Sequence, residues 1–454
     1  MRRRMSRSIA LCAVAAMVVA ACGSDDDGAA TAATADATAT TPTTTAPAAT
    51  TSDTGGSTET SATADEPAGT TDGTTAVTTG STGALDPSLE PVTVYLVTDG
   101  DPASGSENVP AKDGLTAAVA ALNARGGLLG HEVKVEFCQN PFSIDQAVQC
   151  VQDAVKDPSI VAFVGNSTNS GEQIDPIIAA AGIPIIAGLP LTPTQGASPN
   201  EFPIHIGASM FPAAGQLAAA EGYKRILVGT IQTEGTAGME GYISAFIAGT
   251  DSKVEGSVSL PLTKPDLSAE AAKADAEADA VVMITDAATM GRFASSVAQL
   301  GSDVVLVTGG LTAGKLAMDG AGSDLNGARV VRSILPPNTD VPGSAMFLAD
   351  MDAGGVSESA VDEAAVNNWL GVQILDQAAT AAKSVAPGDV LAALNAMTDV
   401  ETYGLTPPID FSVPTSYAGG TLTRIFNPSV VYGTVKDGEH VVESLEWHNV
   451  LKGS

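Results

Sequence analysis

A chain of 454 residues, 44% hydrophobic and only 16% charged, can bury a large core and fill two or three domains. Its formal net charge of -31 argues against nucleic acid and against adhesion to anionic lipid, because a polyanion needs a basic face. Aromatic residues, at 4%, are too few for an aromatic-rich binding surface, and abundant alanine favours helices packed closely on a sheet.

Arg2, Arg3, Arg4 and Arg7 precede an apolar run from Ile9 to Ala21. A run of about 13 suits the core of a signal peptide and falls short of the roughly 20 residues that a membrane-spanning helix needs. Val19-Ala20-Ala21-Cys22 resembles the bacterial lipoprotein lipobox. That resemblance implies a signal peptide over 1–21 and a lipid on Cys22, the only link to the membrane, holding the protein on its extracytoplasmic face. An ordinary secretory signal beside an incidental cysteine is the plainer alternative. Residues 22–90 read as a tether, almost wholly Thr, Ala, Ser, Gly, Asp and Pro as far as Ala84. Such a segment cannot repay its ordering entropy, and a flexible coil of about 60 residues reaches ~45 Å.

The folded body starts near Pro91. The β-branched run 92–97 reads as a buried strand, and Leu115, Val119 and Leu122 mark a helix that stops at Gly126-Gly127. Residues 132–138 alternate as a strand. Ser143 and Gln146 have capping-box spacing, opening a helix with Ile144, Val148, Val151 and Val155 on one face. A strand at 160–165, a helix at 171–181 and a strand at 183–188 complete an alternation that means a parallel, doubly wound sheet. The pattern then restarts, with a helix at 215–223, a strand at 225–230 and a helical face of Met239, Tyr242, Ile243 and Phe246. Strands at 254–260, 280–286 and 304–310 follow, with Met290, Phe293, Val297 and Leu300 on a helix between the last two. A strand at 328–335, helices around 361–384 and 388–397, and a β-rich tail from Pro408 end the chain. Of four cysteines, Cys12 leaves with the signal peptide and Cys22 takes the lipid. Cys138 and Cys150 remain on the oxidising side of the membrane, where a disulfide is the economical reading.

GLTAAVAALNARGGLLG (114–130) is similar to the first helix of the leucine/isoleucine/valine-type (type I) periplasmic binding proteins of ABC transporters. VGNSTNS (164–170), GIPII (182–186), EGYKRILV (221–228), PPIDFS (407–412) and RIFN (424–427) follow in that family's order and spacing. The likeness covers about 90 to 450. It implies two α/β lobes, each a doubly wound parallel sheet, joined by a three-crossing hinge with ligand in the cleft. Lobe 1 would be 91–207 with 330–411 returning to it, and lobe 2 would be 208–329 with 412–454.

Carried over residue by residue, the resemblance implies that Ser167, Thr168, Asn169 and Ser170 hold a ligand carboxylate or polar head. The same residues can also cap the helix that follows. The next family site is a small-residue turn, here Gly188-Leu189-Pro190-Leu191-Thr192, in which Leu191 stands near the expected hydroxyl. In lobe 2, Gly310 lies in a loop where amino-acid binders carry an acid for the ligand ammonium. Thr236 and Asp286-Ala287 replace the family's aromatics. Asp286, Glu234 or Glu107 would supply a substitute charge, or Asp286 merely caps the next helix. These departures imply weak or no binding of leucine, isoleucine and valine, and a different small polar ligand, amine-bearing if Asp286 carries the charge.

Gly309 to Lys315 fits G-x-x-x-x-G-K, but Leu316 stands where a P-loop needs Ser or Thr, so the loop lines the cleft or turns the chain. No G-x-S-x-G elbow occurs, and His131, His205, His440 and His448 share no metal-binding frame. His205 reads as structural, and neither catalysis, cofactor nor metal is expected. The combined expectation is a monomeric, lipid-anchored extracytoplasmic solute-binding protein. It would deliver an amino acid, amide or related small molecule to the permease subunits of an ABC importer by closing two lobes. The alternatives are a ligand-sensing receptor domain of the same fold and an extracellular hydrolase.

Overall fold

The computed structural model describes residues 83–101, 107–231, 236 and 238–452. The signal segment, Cys22, the tether up to residue 82 and Glu234 lie outside the described residues. The last part of the expected tether already docks: Gly83 donates its N–H to Arg125 O, and Asp86 donates to Gly130 O.

Strands β1 (Val92–Asp99), β2 (Val133–Asn140), β3 (Ile160–Val164), β4 (Ile185–Ile186) and β5 (Glu201–Phe202) form one parallel sheet in the order β2-β1-β3-β4-β5. Helices α1 (Val109–Ala124), α2 (Ile144–Ala154) and α3 (Gly171–Ala180) connect them. β1 is buried on both faces: Val94 and Leu96 join one core cluster, Tyr95 and Val97 the other. That is why the run is continuously apolar rather than alternating. Ser143 caps α2 by accepting Gln146 N–H, but the capping box is only half made. Gln146 turns its amide to Gln139 O, and Asn140 Oδ1 takes the Ser143 N–H instead. Cys138 and Cys150 are joined by a disulfide across β2 and α2, with their Cα atoms 6.0 Å apart.

The second sheet has eight strands. β7 (Lys253–Ser259), β6 (Arg225–Thr230), β8 (Ala280–Ile284), β9 (Val305–Gly309) and β10 (Arg329–Arg332) run parallel in that spatial order. β11 (Ser429–Lys436) pairs antiparallel with β10, and β12 (Glu439–Val442) and β13 (His448–Asn449) both pair with β11. Helices α4 (Met210–Ala220), α5 (Met239–Phe246), α6 (Ser268–Glu277), α7 (Ala287–Leu300) and α8 (Lys315–Ala321) cover this sheet. α9 (Pro342–Ala353), α10 (Glu363–Ala382) and α11 (Pro387–Ala396) return to the core of the first. The architecture is therefore two parallel-sheet α/β lobes.

Three expectations need correction. The expected passage between lobes at residues 329 and 330 falls instead after Arg332, because Arg329, Val330 and Val331 pair in register with β9. The strand expected over 183–188 shrinks to two residues. The tail becomes regular β structure only at Ser429, while 408–428 is spent on the return crossing. Asn427 ties all three crossings together, donating from Nδ2 to Ile204 O at 2.9 Å and to Ser333 O at 2.8 Å.

α10 is buried along nearly its whole length, and its start reaches the cleft because α1 lets it in. A Cβ on Gly114 would lie 2.5 Å from the Ala365 backbone, so only glycine permits this approach. Sixteen of its residues are buried, including Asn367 and Asn368 among apolar neighbours.

Candidate functional site

In open parallel sheets ligands bind beyond the carboxyl ends of the strands. There the two lobes enclose a cavity of about 260 Å³. On the lobe 1 side Asp99 ends β1 and organises the loop after β3. Its Oδ1 accepts from Asn140 Nδ2 (2.7 Å) and Thr168 Oγ1 (2.6 Å), and its Oδ2 from the Asn169 backbone (2.7 Å) and Asn169 Nδ2 (3.1 Å). Asn166 Oδ1 accepts the Val97 N–H at 3.0 Å and binds the same loop back to β1. Gln195 braces the following turn, its Oε1 accepting from Leu191 and Thr192 N–H, each at 3.0 Å.

Of the expected contacts, Glu107, Ser167, Asn169, Leu189, Thr236 and Asp286 line this cavity. Thr168 and Ser170 do not: both are buried, and the Thr168 hydroxyl is spent on Asp99 and the Ser170 N–H. Thr192 lines a neighbouring chamber rather than this one. Gly188 lies beside Glu201, and Gly310 sits so close to Glu363 that a Cβ there would fall 1.9 Å from Oε2. An acid thus does approach the Gly310 loop, but it comes from α10 and faces Arg332 and His205, each at 3.4 Å.

Asp286 caps a helix and also lies at the cavity. Its Oδ1 accepts Thr289 N–H at 3.0 Å as the N-cap of α7, and its Oδ2 accepts the Thr285 hydroxyl at 3.3 Å. In the Gly309–Lys315 loop, Leu311 and Thr312 line the cavity, while Lys315 pairs with Asp319 at 3.1 Å, one helical turn on. The lobe 2 wall does hold an aromatic, Phe211 on α4, and Phe142 stands on the lobe 1 side.

Sequence reasoning missed Asp99, Asn108, Phe142, Phe211, Met239, Asp362, Asn367 and Asn368, all of which line the cavity. Asp99 carried a signal as an acid just past the predicted strand 92–97. Asn367-Asn368 carried another, two amides inside an apolar helix. Asp362 caps α10, accepting from Ala364 and Ala365 N–H. Burial pushes its carboxyl up to about 7 against the opposing pull of those N–H groups and Arg332. Among the described residues no group of three or more His, Cys, Asp or Glu is placed to hold a metal ion.

Residues 91–420 match the family model described as periplasmic binding protein. The chain belongs to that family. Its members are binding proteins, not enzymes, and solved structures repeat the fold with different ligands. A branched-chain amino acid ABC transporter protein from Thermus thermophilus with bound valine has a TM-score of 0.66 at 16% identity, covering 78% of this chain and 96% of that one. A fatty acid ABC transporter substrate-binding protein from Thermomonospora curvata has a TM-score of 0.68 at 14% identity, covering 83% and 96%. A solute-binding protein from R. palustris in complex with 4-hydroxybenzoate has a TM-score of 0.62 at 18% identity, covering 80% and 97%. None of the curated proteins matches the sequence closely enough to count as a relative. Among the described residues no helix is long and apolar enough to cross a membrane.

Proposed function

We propose that the protein is a lipid-anchored solute-binding protein on the extracytoplasmic face of the membrane that delivers a small polar ligand to an ABC importer. The observation that carries this reading is the cavity itself, walled by loops at the carboxyl ends of both sheets, so that a bound molecule bridges the lobes and favours their closure. The N-terminal basic residues, short apolar run and Cys22 support the anchor. Glu107, Ser167, Asn169, Leu189, Thr236 and Asp286 are the proposed contacts. Leucine, isoleucine and valine bind weakly or not at all, because the loop at Gly310 carries no acid to meet their ammonium and the nearby Glu363 of α10 faces Arg332 and His205. Losing one charge-assisted contact costs ~1.5–3 kcal/mol, roughly 10- to 150-fold in affinity.

The test joins two measurements. Small-angle scattering against a panel of amino acids, amides, amines and sugars should show compaction with at least one solute. Cys22→Ala should move the protein from the membrane to the soluble fraction with ligand binding intact. No compaction with any solute would refute the binding reading. An uncleaved Cys22→Ala protein left in the membrane fraction would refute the anchor.

A further inference from the structure

The cavity between the lobes is rich in hydrogen-bond acceptors and poor in cations. Asp99, Glu107, Asp286 and Asp362 line it, and no Lys, Arg or His does so among the described residues. Among the described residues only Glu107 of these four has a direct ion-pair partner, Lys112 at 2.7 Å. A second, independent feature points the same way. Asn367 is 1% exposed and lines the cavity, its Nδ2 donates to Ala187 O at 2.7 Å, and its Oδ1 has no hydrogen-bond partner. A buried unpaired acceptor is costly, and a donor on the ligand would relieve it. A ligand carboxylate would meet like charges instead.

The cavity is also not the whole cleft. A chamber of about 500 Å³ adjoins it, and Asn169, Leu191, Ala208 and Met239 line both. Ile144, Pro190, Tyr242 and Leu422 make much of its wall apolar. Its one carboxylate, Glu172, is taken up by the Thr194 N–H and hydroxyl. At about 260 Å³ the first cavity alone falls below the usual ligand pocket of roughly 300–1,000 Å³. A molecule filling both spaces is larger than a simple amino acid and differs at its two ends.

We infer that the ligand is an elongated organic amine, with its ammonium at Asp286 and Asn367 and its apolar arm in the chamber between α3 and α5. This rests on the solute-binding reading above and narrows it to a substrate class. The two spaces divide the work: acceptors orient the head, and apolar area in the arm supplies affinity.

Calorimetry on the full mature chain in detergent tests it with ethylammonium, phenethylammonium, 3-phenylpropionate and valine. Phenethylammonium should bind at least ~10-fold tighter than ethylammonium, the scale on which apolar pockets read added carbon. It should also outbind 3-phenylpropionate and valine. Asp286→Asn should weaken both amines, and because Asn caps a helix as well as Asp, loss of α7 would not explain the effect. Thr421→Trp, at an exposed position on the chamber wall, should bring phenethylammonium down toward ethylammonium. Equal affinity for the two amines would overturn the arm. Tighter binding of valine or 3-phenylpropionate, or no amine binding up to millimolar concentration, would overturn the inference and leave solute binding standing. Failure of that broader reading has its own mark, the absence of compaction with every solute in the panel.

Discussion

Glu363 and Glu201 are both fully buried carboxylates behind the cleft, Glu363 against Gly310 in the loop after β9 and Glu201 against Gly188 in the loop after β4. Burial alone would raise both. Around Glu363, however, Arg332 and His205 outweigh burial and hold the carboxyl below its usual range. Arg332 also bonds His440, whose Nε2 faces Ala313 O at 2.8 Å. Burial and the Arg332 charge push His440 down to about 3, so its neutral ring accepts from Arg332 at Nδ1 and donates from Nε2. Around Glu201 the balance is reversed. Burial and its neighbour Asp175 push it well up, and Arg424 opposes them too weakly. Asp175 itself, buried and near Glu172, rises to about 7. Arg424 is committed elsewhere, between the Phe202 and Phe426 rings at 4.5 and 4.7 Å, with its Nε on Glu201 O. Equal burial thus gives opposite shifts, and the placing of the cationic neighbours decides which.

The largest break in this comparison is Glu363→Ala. It strands Arg332 as a buried cation, and such a loss costs about 3–5 kcal/mol. Chemical denaturation at neutral pH should show it, while a cost under 1 kcal/mol would mean that the pair carries no such weight.

Next comes pH. The folded state keeps Asp175 protonated where the unfolded chain has released that proton, so stability should fall as pH rises from the usual carboxylate range through about 7. At roughly 1.4 kcal/mol per unit the loss is on the order of 4 kcal/mol. Glu363 acts in the opposite sense, its contribution present above its unfolded value and lost as pH falls through its lowered folded one. Asp175→Asn should make the alkaline limb of the stability profile shallower, with raised Glu201 and Asp362 keeping the rest of it, and leave the acid limb. An unchanged alkaline limb would assign that dependence to another group.

Smallest is Arg424→Lys. It keeps the charge near Glu201 but loses the planar stack on two rings, at about 1 kcal/mol. Melting of this variant beside the parent checks it, and an unshifted transition would show the stack to be incidental.

Most strands and helices were legible from their own period, from the run at 92–97 to that at 304–310, whereas β5, α6, α8 and α9 were not read. The Cys138–Cys150 bond was legible from the cysteine count and from the strand–helix pair that holds it. Local reading also found the loop Ser167–Ser170 and the cap at Asp286. It misjudged their division of labour, since whether Thr168 faces ligand or Asp99 depends on a strand that ends 69 residues earlier.

By itself the sequence determined the alternation of elements, the two-lobed parallel class and the family likeness, all written in local spacing and order. Only the tertiary structure decided what lines the cleft. Asp362, Asn367 and Asn368 arrive on α10 from the far side of the second crossing, and Glu363 takes the place beside Gly310 where a loop acid was expected. No local period encodes such meetings. They arise because α10 packs onto α1 at Gly114, and that contact closes over more than 240 residues of intervening chain.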